Sequence, residues 1–161
     1  MIEKEILKRF YGLRSHYEQL YETLKEERQY LPKGNLDKLQ TIVHQIEQDV
    51  ETINQEREDL VVCLKKFTGN KSPSMEIENL MRFISPMYHQ EFYEVYEDVT
   101  QLIDDVKRFG KENRFIIEDG LNFIEETMQT VVGVQEKNTT YDKEMKIRKR
   151  KPNNLIFSKE V

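Results

Sequence analysis

The chain has 161 residues, about one domain's length and enough for a single core. Charged residues make up 34% of it and apolar ones 37%, with a mean hydropathy of −0.76, which suits long exposed helices better than a thick globular core. No apolar run approaches the roughly 18 residues of a membrane span. Met1-Ile2-Glu3-Lys4-Glu5 also lacks the basic start and apolar centre of a secretory signal, so a cytoplasmic protein is expected. The single cysteine, Cys63, sits among Val61, Val62 and Leu64; it excludes an internal disulfide and a CxxC metal site and reads as a small buried apolar residue.

Charge is unevenly distributed. From Gln135 to Val161 there are eight Lys or Arg against four acids, a net +4, so the total of −5 leaves −9 on residues 1–134. An acidic helical body over 1–134 and a basic, flexible tail over 135–161 are the expected parts.

In chain order, Ile2, Ile6, Phe10, Leu13, Tyr17, Leu20 and Leu24 recur three or four apart and predict a first helix with one apolar stripe. Leu31-Pro32-Lys33-Gly34-Asn35 then turns the chain. Pro32 pushes Leu31 out of helical geometry, Gly34 permits a left-handed step, and Asn35 can cap the next helix. A second helix follows, in which Leu36, Leu39, Val43, Ile46, Val50, Ile53, Arg57, Leu60, Leu64 and Phe67 keep a heptad alternation with one polar break. It is a coiled-coil-grade pattern, and thirty-odd residues make a rod of about 48 Å.

Thr68-Gly69-Asn70-Lys71-Ser72-Pro73-Ser74 reads as a loop, and Ile77, Leu80, Met81 and Ile84 as a short helical segment broken at Ser85-Pro86, with Ser85 as cap and Pro86 at the first helical position. From Met87 a third long helix is predicted through Phe92, Val95, Val99, Leu102, Val106 and Phe109, which antiparallel pairing would lay beside the second. The fold class is therefore all-α, an elongated antiparallel helical hairpin or three-helix bundle with coiled-coil character.

The last part of this helix has more apolar residues than one stripe can hold: Phe115, Ile116, Ile117, Leu121, Phe123, Ile124, Met128, Val131, Val132 and Val134. At about 100° per residue, Ile117, Leu121, Ile124, Met128 and Val131 share a face, while Phe115, Ile116, Phe123, Val132 and Val134 spread beyond it. Either the first helix covers the surplus or it is a partner surface, which Met and Phe make adaptable. Beyond it, Lys146-Ile147-Arg148-Lys149-Arg150-Lys151 could attract nucleic acid or an anionic membrane. On an acidic protein so short a run is instead a solvated arm or a handle for an acidic protein surface, and neither nucleic acid nor membrane is the expected partner. Leu155-Ile156-Phe157 reads as a short docking peptide or an ordinary chain end.

Catalytic chemistry has little to stand on. His16, His44 and His89 fall on separate segments, no HExxH or phosphate-cradling Gly loop occurs, and the pairs Asp104-Asp105 and Glu125-Glu126 read as solvated helix faces. Neither an enzyme activity nor a cofactor is expected.

Four pieces together carry a family resemblance: Lys33-Gly34-Asn35-Leu36-Asp37-Lys38-Leu39 at the hairpin; the acid-rich helix ending Glu56-Arg57-Glu58-Asp59-Leu60; Asn113-Arg114-Phe115-Ile116-Ile117 with Leu121-Asn122-Phe123-Ile124; and Thr140-Tyr141-Asp142. In order and spacing they resemble the FlgN-type flagellar export chaperones over most of the chain. The tail departs from the family where Glu144-Met145-Lys146-Ile147, rather than a nearby Gly, follows the Tyr.

The resemblance implies a chaperone that holds the hook-filament junction proteins FlgK and FlgL and delivers them to the flagellar type III export gate. The client would lie on Phe115, Ile116, Ile117, Leu121, Phe123, Ile124, Met128, Val131 and Val132, and Tyr141 would contact the gate component FlhA. Monomer and homodimer both stay open for the free protein. So do two other classes: a structural coiled-coil subunit or helical adaptor with another partner, and a nucleic-acid-binding regulator working through Lys146 to Lys151.

Overall fold

The computed structural model describes residues 1–71 and 73–141, with side chains as far as Gly133. Every element among these is helical: α1 (Ile2–Tyr30), a 3-10 turn (Leu31–Lys33), α2 (Leu36–Thr68), α3 (Ile77–Met81), a second 3-10 turn (Pro86–Tyr88) and α4 (His89–Tyr141). The all-α class follows directly. Contacts divide the chain into two compact units, Met1–Asp119 and Gly120–Val161.

In the first unit α1 is the hub. Its stripe Ile6, Phe10, Leu13, Tyr17, Leu20 and Leu24 is buried, as the spacing predicts, against Ile53, Leu60 and Leu64 of α2 and Phe92, Val95 and Val99 of α4. Each such side chain contributes about 1.5 to 3 kcal/mol when fully buried. Ion pairs from Arg9 to Glu56 and Asp59 and from Lys38 to Glu26 show α2 running antiparallel to α1. By contrast α4 runs parallel to α1: Tyr11 meets Glu91, Arg14 meets Asp98, Tyr21 meets Phe109 and Arg28 meets Glu112. The three long helices of this unit form a bundle in which α4 lies along α1 and so runs antiparallel to α2, whose Leu60 and Leu64 share its core. The connection through α3 returns the chain to the N-terminal end of α1, and there Ile84 and Leu80 join the core.

The turns follow their chemistry with one exception. Gly34 takes φ 63°, and Asn35 caps α2 by accepting the Lys38 N–H at 3.1 Å. Gly69 at φ 67° ends α2, its N–H donating to the Lys65 carbonyl. Pro86 opens the second 3-10 turn behind Ser85, whose N–H and hydroxyl both donate to Glu3 of α1, at 2.7 and 2.6 Å. The exception is Leu31, which keeps helical angles of φ −54° and ψ −50°. Pro32 stands at the start of a 3-10 turn, where its missing N–H costs nothing, so the chain leaves helical geometry after the proline, at Gly34.

The buried seam of α2 also lies to one side of the heptad stripe. Ile42, Asp49, Ile53, Leu60, Cys63 and Leu64 are buried, while Leu36, Val43 and Val50 are exposed at 77%, 43% and 41%. The reason is polar. Asp49 faces α1 because it accepts from Gln19 and Thr23 there, at 2.9 and 3.0 Å, and from Gln45 one turn away at 2.8 Å. A carboxylate so satisfied can occupy a seam position that a heptad count assigns to solvent.

Candidate partner-binding face

The last tie between α4 and α1 is a polar clamp around Asn113, only 1% exposed. Its amide nitrogen donates to the Leu24 carbonyl at 2.9 Å and to the Glu27 carboxylate at 2.7 Å, and its oxygen accepts from Arg28 Nε at 2.9 Å. Arg28 also pairs with Glu112 at 2.7 Å and lies over the Phe109 ring. Both amide N–H groups and the oxygen are engaged, so the clamp fixes the register in which α4 meets α1.

Past Asn113, the side-chain hydrogen bonds and ion pairs of α4 among the described residues stay within the helix, as between Arg114 and Glu118 at 2.9 Å. Phe115, Ile116 and Ile117 in the first unit are exposed. So are Leu121, Phe123, Ile124, Met128, Val131 and Val132 in the second, the whole set ranging from 38% at Ile117 to 70% at Phe123. Within the first unit, α1 therefore leaves Phe115, Ile116 and Ile117 uncovered. Within the second unit Leu121, Ile124, Met128 and Val131, spaced three, four and three apart, form one stripe. So much contiguous apolar side chain left in water makes this stretch the candidate partner-binding face.

The sequence-predicted residues thus share one helix and one condition, exposure. Tyr141 is the last residue of α4 by its backbone, and its side chain lies outside the described residues, as do residues 142–161 with the basic run and Leu155-Ile156-Phe157. Residues 135–141, taken from sequence as the start of the tail, continue α4. Sequence reasoning missed the clamp that Asn113 makes and the burial of Asp49, since their partners on α1 lie far away in the chain and no local pattern announces them.

Among the described residues no nucleophile is paired with a base beside this face. His16 and His89 are half-buried and His44 is exposed, on three different elements. No group of three His, Cys, Asp or Glu suited to a metal ion occurs among the described residues. Burial pushes the Cys63 thiol up from its usual value, which makes it a poor nucleophile. A hollow of about 630 Å³ between α1 and α2, lined by His16, Gln19, Gln48, Asp49, Thr52 and Glu56, is open and amide-rich and pairs no nucleophile with a base. No helix among the described residues is long and apolar enough to cross a membrane.

Comparison with known proteins agrees with this geometry. The family described as "FlgN protein" matches residues 1–149. The chain is also similar to an uncharacterised protein, YvyG of Bacillus subtilis (strain 168), with 25% identity over 146 residues, covering 91% of this chain and 90% of that protein. No solved structure matches. With its core, its hairpin and its exposed helix all inside the matched span, the chain belongs to the FlgN family, a family of flagellar export chaperones rather than of enzymes.

Proposed function

We propose that this chaperone holds the hook-filament junction proteins FlgK and FlgL in the cytoplasm and hands them to the flagellar type III export gate. The observation that carries the reading is the exposed apolar set on α4: Phe115, Ile116, Ile117, Leu121, Phe123, Ile124, Met128, Val131 and Val132. A client that must stay unfolded or loosely folded for export offers an amphipathic terminal helix, and such a helix docks its apolar side on these residues. Three or four buried anchors at about 1.5 to 3 kcal/mol each offset the ordering of a disordered client. Release needs no nucleotide at the chaperone, since competition for the client helix suffices. In this scheme residues 1–134 are the holding body and residues 135–161 the basic segment that meets the gate, with Tyr141 as a contact for FlhA. FlhA binding retained in full by Tyr141→Ala removes that last assignment.

Calorimetric titration with FlgK tests the central claim. Binding with a negative heat-capacity change, abolished by Phe123→Asp and by Ile124→Asp at unchanged helicity, is the expected result. A correctly folded protein that binds neither FlgK nor FlgL overturns it. The exposed Leu36, Val43 and Val50 of α2 support a second reading, a structural coiled-coil subunit, which predicts stable self-association through α2 and no client.

A further inference from the structure

The acidic residues beside the stripe of the second unit say what kind of helix fits it. With Leu121 and Met128 as one row and Ile124 and Val131 as the other, the helical repeat places Glu125 on one edge and Thr127 on the opposite edge, while Glu126 falls on the far side. The edges differ chemically. Thr127 spends its hydroxyl on the Phe123 carbonyl at 2.8 Å and so turns its methyl outward beside the exposed Phe123 ring. Glu125 is exposed and has no ion pair among the described residues, and no Lys or Arg occurs between Phe115 and Glu136.

A second copy of the chain does not complement this pattern. In an antiparallel pair like edges meet, which sets Glu125 against the partner's Glu125 or Val132. In a parallel pair unlike edges meet, which sets it against the Thr127 methyl. Neither arrangement supplies a cation for Glu125.

We infer that the occupant is an amphipathic helix of another protein that carries Lys or Arg along the single flank facing Glu125, its other flank being uncharged. This deepens the client-holding reading and rests on it. The carboxylate then acts as a selector: it adds little to affinity but orients the client helix on a stripe that would otherwise accept either direction.

Two three-heptad peptides with the same Leu stripe, one flanked by Lys and one by Glu, and FlgK itself are the probes, each titrated into the full chain and its Glu125→Lys and Glu126→Lys variants. The Lys-flanked peptide should bind about fivefold more tightly, Glu125→Lys should reverse that order, and Glu126→Lys should leave it unchanged. FlgK should lose about fivefold in affinity to Glu125→Lys, and added salt should shrink each difference. Peptide affinities that do not differ, or that respond alike to both variants, overturn the charge selection, as does FlgK binding indifferent to Glu125→Lys; the apolar-face reading survives either result. Failure of both peptides and of FlgK to bind a helical protein brings down that reading itself. A dimer by sedimentation that Phe123→Asp dissolves assigns the face to a second copy and overturns the inference.

Discussion

Phe92 and Phe123 sit on the same helix, α4, and meet opposite fates. Phe92 is fully buried, its ring edge-on to Phe10 at 5.2 Å, whereas Phe123 is 70% exposed. Helical propensity and residue type are the same in both places. The difference is cover: α1 supplies Phe10 beside the first ring, and among the described residues of its own unit the second ring has no such neighbour. One helix thus serves as core where a neighbour covers it and as a waiting surface where none does.

That contrast is breakable at several points. Phe92→Ala should cost about 3 to 5 kcal/mol, read as a lower denaturant midpoint, because a large cavity opens beside Phe10. Asn113→Ala should cost about 2 to 3 kcal/mol in the same measurement, since it takes a partner from the buried Glu27 carboxylate and from Arg28 Nε together. Phe123→Asp should change stability by less than about 0.5 kcal/mol yet abolish FlgK binding in the calorimetric titration. A stability loss as large as that of Phe92→Ala would mean that Phe123 is core after all.

Smaller effects sharpen the same distinction. A Cβ at Gly120 would meet nothing within 4 Å, so Gly120→Ala should stabilise the helix by about 0.5 to 1 kcal/mol, seen as a rise in helicity by circular dichroism. The Glu3 carboxylate is held below its usual 4.5, first by the Ser85 hydroxyl and then by the Ser85 N–H. A depressed carboxylate contributes stability above its unfolded value and loses it as pH falls through the folded one. Glu3→Gln should therefore lower the urea midpoint at neutral pH, and the difference should shrink as pH falls through the lowered value of the folded carboxylate.

Much of this was legible in the sequence, and the rest was not for identifiable reasons. The α1 stripe from Ile6 to Leu24 reads correctly because a helix covered along one side needs one apolar row and little else. The surplus from Phe115 to Val132 is visible in the sequence because it exceeds what one row can hold, and these residues are exposed. The α2 stripe misleads at Val43 and Val50, since the seam was decided by Asp49, a residue that is buried only because Gln19 and Thr23 of α1 face it. The placement of α4 along α1 was equally hidden: the Asn113 clamp joins residues 85 to 89 positions apart, and no window of local periodicity spans that distance. The edge chemistry at Glu125 and Thr127 is readable from sequence once the stripe is known to be exposed.

The separations across the α1–α4 seam also set an order of events. Pairs such as Tyr11 with Glu91 and Leu24 with Asn113 lie 80 to 89 residues apart, whereas Thr23 and Asp49, across the α1–α2 seam, are 26 apart. Closing the shorter loop costs less chain entropy, so the hairpin of α1 and α2 forms first, and can do so while α4 is still being synthesised. In that interval the Phe10 flank of α1 is bare. The nascent protein is then itself a chain with an uncovered apolar helix, and the arrival of α4 ends that exposure on α1 while leaving its own from Phe115 onward.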